Sequence, residues 1–404
     1  MNPPQASADE QNIRASSVHA RPDAGATQYA KPLAQEYVVV ARVPSPGLRT
    51  DDCALTHLPG GGLLATFTFR QARGSKLKES FHLARSRDNG QTWERLPPLD
   101  VEDGMPFVHN GKLYLLGNGR SPMDIVVTRS DDDGQTWLKP VPVIKGCYWN
   151  APTGYAIANG HLYRAFDVRD PKTRAWVGAH AVVAGDLSRD LLDPASWRVS
   201  KPVRFPGIPE TLKRNLHKRD NRWLEPNVVS FRGKLHVLSR VRIDRLATAN
   251  MCAVCDVKDD GKNLDCRFVQ FHPMPGGQCK FFIIHDKVSD LFWSPVNLPT
   301  NTQDVAWGKK LVAKGFRQTP GNERRFLMLM YSLDALNWFQ AGCIAMSTNP
   351  LQSFHYAAPL VDGDDLLILS RTSRDAPDQH DSDLVTFHRV KNFRRLALKL
   401  HPEM

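Results

Sequence analysis

Two pairs of residues that could take part in catalysis have the same spacing in this chain. The interval from Glu225 to Arg240 equals the interval from Tyr356 to Arg371. A glutamate beside a tyrosine can take the phenolic proton and make the tyrosine a nucleophile, despite its free pKa of about 10. An arginine can grip a carboxylate through two parallel hydrogen bonds. A nucleophile that is neutral until activated suits a sugar whose reacting carbon carries a carboxylate, because a carboxylate nucleophile would be repelled.

These residues lie at the ends of a hairpin that the sequence repeats six times. Each copy is an apolar run of strand length, a turn containing glycine or aspartate, and a second apolar run, as in a β-hairpin. No long helical periodicity competes with this pattern. The intervals between the turns suit four-stranded β units with loops of variable length. The turns fall near Gly62, Gly111, Gly160, Gly233, Asp290 and Gly363.

A second repeat marks other turns in the same units. The segments 86–93 (S-R-D-N-G-Q-T-W) and 130–137 (S-D-D-D-G-Q-T-W) both fit S-x-D-x-G-x-T-W. We expect Asp88 and Asp132 to bond backbone N–H groups two residues on, and Trp93 and Trp137 to bury a ring against each turn.

Both repeats predict an all-β fold, a six-bladed β-propeller of four-stranded antiparallel blades, because blades in a ring leave only short sheet edges. The segment 38–43 and a late strand after Ser382 are expected to close the ring. We predict a single propeller domain over residues 37–404. Residues 1–36 are polar and rich in alanine, proline and serine, and are expected to form a disordered leader.

The propeller geometry predicts which residues share one rim. The first strand of each hairpin leaves that rim and the second returns to it, so the residue that starts strand one lies near the residue that ends strand two. Arginines and carboxylates gathered at this rim either pair with each other and hold the blades together, or bind a charged ligand. Besides the first two pairs, the rim residues are Asp51, Asp52, Arg70, Asp103, Asn118, Trp149, Asn150, Asp167, Lys280 and Asn297.

The chain resembles the sialidase (neuraminidase) superfamily. The S-x-D-x-G-x-T-W turns look like its Asp-boxes, and the segments 223–240 (W-L-E-P-N-V-V-S-F-R-G-K-L-H-V-L-S-R) and 354–367 (F-H-Y-A-A-P-L-V-D-G-D-D-L-L) are similar to its catalytic segments. The resemblance implies that Tyr356 is the nucleophile, Glu225 its base and Arg240 a carboxylate clamp, in keeping with the tyrosine nucleophile of sialidases. Together with the rim positions, this gives the remaining predicted site residues, which are Arg49, Arg70, Arg371, Lys280, Trp149 and His355 for substrate binding, and Asp51, Asp52 or Glu79 as the acid.

We therefore predict an exo-glycoside hydrolase that removes a terminal acidic sugar, sialic acid or a related nonulosonic acid. Two alternatives stay open. One is a propeller lyase acting on uronate-containing glycans, with Tyr356 or His355 as base. The other is a carbohydrate-binding propeller without catalysis.

Composition limits the partners of the chain. A net charge of +11 favours anionic partners, and we expect an acidic glycan. Nucleic acid is disfavoured because no Lys/Arg-rich run has interleaved aromatics. No metal or cofactor is expected, and the seven cysteines are expected to be reduced thiols. No apolar run is long enough to predict a membrane span. The N-terminal residues lack the pattern of a signal peptide, although the function class favours a secreted or periplasmic protein.

Overall fold

Six antiparallel sheets arranged around one axis form this chain, which confirms the six-bladed β-propeller of four-stranded blades. The computed structural model describes residues 31–210, 219–244, 250–299 and 323–398, together with positions 310 and 313. Blade one comprises β2 (Leu48–His57), β3 (Leu63–Gln71), β4 (Ser80–Ser86) and β5 (Glu94–Leu96). Blade two comprises β6 (Glu102–His109), β7 (Lys112–Asn118), β8 (Ile125–Ser130) and β9 (Val141–Ile144).

Blade three departs from the simple pattern because its innermost and outermost strands are each split in two. It comprises β10 (Tyr148–Trp149), β11 (Ala156–Ala158), β12 (His161–Arg169), β13 (Trp176–Asp186), β14 (Trp197–Val199) and β15 (Val203–Arg204). Blade four comprises β16 (Arg219–Phe231), β17 (Lys234–Asp244), β18 (Met251–Asp259) and β19 (Leu264–Pro273).

Blade six closes the ring with a strand from each end of the described chain. Blade five comprises β20 (Ile284–Asp286), β21 (Leu291–Asn297), β22 (Phe326–Ser332) and β23 (Trp338–Met346). Blade six comprises β24 (Ser353–Asp362), β25 (Asp365–Ser373), β26 (Leu384–Val390) and β1 (Val38–Arg42), and two short 3-10 helices span Pro194–Ser196 and Phe393–Leu396. Because β1 pairs with β26, with Val38 opposite Phe387, the predicted closure by the segment 38–43 and the strand after Ser382 is confirmed.

The end of the predicted leader is attached to the propeller. The backbone N–H groups of Leu33 and Ala34 donate to the carbonyls of Cys343 and Ile344 in β23, at 2.7 and 2.8 Å. Residues 1–30 lie outside the described part of the chain, and for them the disordered leader stays a prediction.

The hydrophobic core is divided into layers between neighbouring blades. Phe67 of blade one packs with Phe387 of blade six, and Val182 of blade three packs with Val237 of blade four. A smaller cluster near the axis draws on several blades and consists of Ala54, Met105, Phe282 and Ala358. Apolar side chains between the sheets therefore hold neighbouring blades together.

The predicted turns are present, with one difference in their hydrogen bonds. All six hairpin turns have a residue with positive φ at the expected position, namely Gly62, Gly111, Gly160, Gly233, Asp290 and Gly363. In the repeated S-x-D-x-G-x-T-W turns, Trp93 and Trp137 donate to the carbonyls of Gly90 and Gly134. Asp88, however, accepts from the N–H of Thr92 at 2.9 Å, further along the chain than predicted. The aspartate therefore spans the whole turn instead of capping its first half.

The structure also describes the thiols, the possible metal ligands and the helices of the chain. All seven cysteines are free thiols. Within the described ranges, no group of three or more His, Cys, Asp or Glu side chains is arranged to hold a metal ion. A search of the same residues finds no helix long and apolar enough to cross a membrane.

Candidate active site

Four β-bulges direct side chains to the axis at one rim. Asp52, Asp103, Glu225 and Tyr356 each have a left-handed backbone, with φ of 30°, 51°, 56° and 51°. At each position the pairing register of the innermost strand shifts, as it does where a strand contains an extra residue. Non-glycine residues rarely adopt this conformation, which concentrates at functional sites. The same device therefore marks four blades at the point where the sequence places its reactive residues.

Tyr356, Glu225 and Arg240 form one hydrogen-bonded group. The Tyr356 hydroxyl donates to Glu225 Oε1 at 2.6 Å. Arg240 Nη1 donates to both Glu225 oxygens, at 3.1 and 2.8 Å, and to the Tyr356 oxygen at 3.2 Å. This arrangement holds a base on the phenolic proton and a positive charge beside the oxygen that would lose it.

Further cations surround the Tyr356 ring. The guanidinium carbons of Arg371 and Arg324 lie 4.6 and 5.9 Å from the ring centroid. Lys280, which is buried, donates to the Tyr356 carbonyl at 3.3 Å and so supports the backbone of the bulge. Burial and the charge of Glu225 raise the pKa of Tyr356, while the neighbouring arginines lower it. The hydroxyl is therefore protonated at rest and needs Glu225 to remove its proton.

Asp51 binds three arginines. It accepts a hydrogen bond from Arg371 at 2.5 Å and forms ion pairs with Arg49 at 2.8 Å and Arg70 at 3.0 Å. Burial acts to raise the pKa of Asp51, but these three guanidinium groups lower it well below the usual range. Asp51 is therefore ionised and serves as the internal counter-ion of the arginine cluster.

Asp52 has the opposite environment. It is only 1% exposed, and neither of its carboxyl oxygens has a hydrogen-bond partner among the described residues. An Arg70 nitrogen lies 3.6 Å away. Burial, followed by the charges of Asp51 and Asp103, raises the pKa of Asp52 well above its ordinary value. The two adjacent aspartates thus have opposite electrostatic environments, and burial beside two carboxylates favours the protonated form of Asp52.

A pocket of about 390 Å³ opens at this rim. That volume suits a small ligand such as one or two sugar rings. Of the predicted site residues, Arg240, Arg371, Lys280 and His355 lie behind the pocket wall, and His355 is fully buried with a 2.7 Å hydrogen bond to Ser382. The lining residues are Arg49, Asp51, Asp52, Arg70, Glu79, Glu102, Met123, Trp149, Arg169, Arg174, Trp176, Leu224, Glu225, Tyr356 and His380.

Comparison with solved structures identifies the fold. An α-L-arabinanase from Penicillium chrysogenum, complexed with arabinobiose, matches with a TM-score of 0.53 and 15% identity, over 89% of this chain and 99% of that one. The Hadza microbial sialidase matches with a TM-score of 0.53 and 18% identity, over 85% of this chain and 66% of that one. The Trypanosoma rangeli sialidase with 2,3-difluorosialic acid, a covalent intermediate, matches with a TM-score of 0.53 and 15% identity, over 90% of this chain and 56% of that one. The chain has the fold of the propeller glycoside hydrolases.

The resemblance to sialidases is thus confirmed for the architecture. This chain spans about two thirds of the length of the Hadza sialidase and slightly more than half of the length of the Trypanosoma rangeli sialidase. No family model matches the sequence, and no curated protein is similar to it in sequence.

In this glycoside hydrolase fold, three residues near the site escaped the sequence analysis, for two reasons. The rim rule used the start of strand one and the end of strand two, but strand three of each blade also starts at that rim. Trp176 starts β13, and Arg324 lies just before β22. Arg169 was missed because β12 continues beyond Asp167, the end that the sequence suggested. A rule extended to strand three and to longer strands would have found all three.

Removing the charge of Asp51 should destabilise the fold. Asp51→Asn keeps an oxygen acceptor but leaves Arg49, Arg70 and Arg371 short of a counter-ion, so we expect the free energy of unfolding to fall by about 3–5 kcal/mol. Chemical denaturation measures this change. Asp375→Asn is the control, because Asp375 is 62% exposed and lies 3.6 Å from Arg42, and it should change the free energy by less than about 1 kcal/mol. Equal effects of the two variants would contradict the internal role of Asp51.

Proposed function

We propose that the chain is a glycoside hydrolase that forms a covalent intermediate on Tyr356. The observation that carries this proposal is the 2.6 Å hydrogen bond from the Tyr356 hydroxyl to Glu225, with Arg240 bound to both partners. A base in contact with a nucleophile, and a third group that orients the base, is the general arrangement of nucleophilic catalysis. The covalent sialidase intermediate in the same fold supports the same chemistry.

In the first step, Glu225 accepts the phenolic proton as the Tyr356 oxygen bonds to the anomeric carbon. The glycosidic carbon–oxygen bond breaks, and the leaving oxygen takes a proton. Arg240 stabilises the negative charge that develops on the phenolic oxygen. In the second step, water displaces Tyr356 from the sugar, and the phenolate recovers its proton from Glu225. Two displacements at one carbon give net retention of configuration.

Asp52 is the acid in this scheme. It lines the pocket, its pKa is raised by burial and by Asp51 and Asp103, and its oxygens have no hydrogen-bond partner in the described part of the protein. A protonated carboxyl can give its proton to the leaving oxygen and, once ionised, can accept a proton from the attacking water. Of the candidates Asp51, Asp52 and Glu79, only Asp52 is buried with no hydrogen-bond partner among the described residues, because Asp51 accepts from Arg371 and Glu79 accepts from Arg70 at 3.2 Å.

The substrate we propose is an acidic glycan, in keeping with the net charge of +11. The narrower expectation, an exo-sialidase that removes sialic acid or a related nonulosonic acid, stays a prediction. It requires Arg49, Arg240 and Arg371 to bind a carboxylate on the reacting sugar. Each of these arginines already binds a carboxylate of the chain, from Asp51 or Glu225. A sialoside would therefore have to share these guanidinium groups.

A panel of fluorogenic glycosides tests the proposal. We expect release of the fluorophore from at least one of an α-sialoside, an α-L-arabinofuranoside and a β-uronide, with the first sugar product formed in the configuration of the substrate, as read by proton NMR. The same protein is incubated with uronate-containing polysaccharides. Absorbance from an unsaturated uronate, without hydrolysis, would identify a lyase. Binding of acidic glycans with no turnover in any assay would identify a carbohydrate-binding propeller and would contradict the proposed hydrolase activity.

A further inference from the structure

One side of the pocket takes no part in the proposed chemistry. It consists of Trp149, Arg169, Arg174 and Trp176, which we call the blade-three wall. The two indole rings meet edge to face, with centroids 4.9 Å apart. The Arg169 guanidinium carbon lies 4.0 Å from the Trp176 centroid and 5.6 Å from that of Trp149. Trp176 is 37% exposed, so part of its indole surface and the side chains of Arg169 and Arg174 line the pocket together.

The two guanidinium groups of this wall form no ion pair with a carboxylate of the described residues. Arg169 donates to the Arg174 carbonyl at 3.3 Å, and Arg174 donates to the Ser121 hydroxyl at 2.9 Å. Neither arginine has a carboxylate partner among the residues that the structure describes. In addition, the buried Nε of Arg169 has no hydrogen-bond partner there. Two guanidinium groups at the mouth of a pocket therefore keep their capacity to bind an anion.

Arg49 and Arg70, which line the same pocket, differ from these two arginines because each has a carboxylate partner. Arg49 contacts Asp51, and Arg70 contacts Asp103 at 2.6 Å, so the pKa of each is raised although burial acts to lower it. Burial instead lowers the pKa of Arg169, which the more distant charge of Asp167 offsets only in part. The positive charge available to a ligand is therefore displaced from the axis toward blade three.

The loop between β12 and β13 holds the wall in place without a ligand. The Asp170 carboxylate accepts from the N–H groups of Lys172 and Thr173, at 3.0 and 2.7 Å, and the Arg174 N–H donates to the Asp170 carbonyl at 2.8 Å. A positive φ of 58° at Arg174 completes this turn. Because the turn is already fixed, less conformational entropy is lost when a ligand binds.

We propose that the blade-three wall binds an anionic sugar residue next to the sugar that reacts at Tyr356. A carboxylate or sulfate group binds Arg169 and Arg174, and the ring of that residue packs on Trp176. The specificity for acidic glycans then comes from the neighbouring residue rather than from the reacting sugar. This inference rests on the proposed function for the position of the cleaved bond, whereas the binding itself does not depend on turnover.

Calorimetric titration of the Tyr356→Phe protein tests the wall separately from catalysis. The carboxylate probe is trigalacturonic acid, compared with its methyl ester. The sulfate probe is a sulfated galactan tetrasaccharide, compared with its desulfated form. We expect at least one anionic probe to bind about tenfold or more tightly than its neutral counterpart, and the arm that shows this preference identifies the group. No preference in either arm would overturn the proposal.

Variants assign the preference to the wall. Arg169→Gln and the exposed Arg174→Gln should each reduce the preference for the anionic probe by about fivefold or more, and Trp176→Ala should weaken charged and neutral probes alike. Arg389→Gln is the matched control, because Arg389 pairs with Asp362 and Asp365 in blade six, and it should change nothing. A preference that survives both arginine variants would place the anion elsewhere and overturn the inference. If binding follows these expectations but the protein shows no hydrolase activity, the proposed function is rejected and the anionic site at the blade-three wall is still supported.

Discussion

Tyr356→Phe should lower kcat by on the order of 10³-fold or more, because the substitution removes only the oxygen that bonds to the anomeric carbon. The phenyl ring keeps its packing against Arg371, whose guanidinium carbon lies 4.6 Å from the ring centroid. We therefore expect the variant to fold and to bind the substrate. The measurement is kcat and KM on whichever fluorogenic glycoside the native protein cleaves, with binding checked by calorimetry.

Tyr331→Phe is the matched control for this experiment. Tyr331 is also a buried tyrosine with a bonded hydroxyl, which accepts from the Leu398 N–H at 3.0 Å, but it lies in the layer between blades five and six. Its loss should cost stability and leave kcat almost unchanged. A decrease of less than about tenfold in Tyr356→Phe would remove the nucleophile role from Tyr356.

Asp52→Asn should produce a loss that depends on the leaving group. The amide cannot give a proton, so we expect a decrease of about 10²–10⁴-fold on an oligosaccharide, whose leaving oxygen needs protonation. A nitrophenyl glycoside should be affected far less in the first step, because its leaving group departs without a proton. Comparison of kcat/KM for the two substrates measures this split. Equal losses on both substrates would assign Asp52 a positioning role instead.

The pH profile provides an independent check on Asp52. An acid must be protonated to act, and burial together with Asp51 and Asp103 raises the pKa of this carboxyl. Activity on the oligosaccharide should therefore be high below that pKa and fall as the pH rises through it. In Asp52→Asn the alkaline decrease that belongs to this group should be absent from the residual activity. An unchanged alkaline limb would show that another group titrates there.

Much of the fold could be predicted because hairpins leave a strong local signal. Alternating apolar runs around turns that need positive φ, such as Gly62 and Gly233, identify a blade without any knowledge of its neighbours. The rim rule then followed from strand direction alone, and it brought Glu225, Arg240 and Tyr356 together correctly. Glu225 and Tyr356 are far apart in sequence, yet each could be placed from its own hairpin.

The different environments of Asp51 and Asp52 could not be predicted, for a physical reason. Alternation in a regular strand places adjacent residues on opposite faces. The bulge at Asp52 breaks this alternation and lets both aspartates reach the pocket, one among arginines and the other among carboxylates. A bulge depends on the backbone of the partner strand, which no local pattern records. Arg324 escaped for a different reason, because it lies just before the third strand of its blade, which the rim rule did not consider.

The closure of the ring by β1 and β26 has a consequence for how the protein acquires its activity. The pairing joins Val38 to Phe387, and Asp51 meets Arg371 from the opposite end of the propeller sequence. Contacts between such distant positions form late, because the loop entropy must be lost before they are gained. A nascent chain that has emerged only as far as blade five lacks Tyr356 and has an open ring. Any catalysis that depends on Tyr356 can therefore arise only after synthesis of the sixth blade, and a partly synthesised chain lacks the complete site.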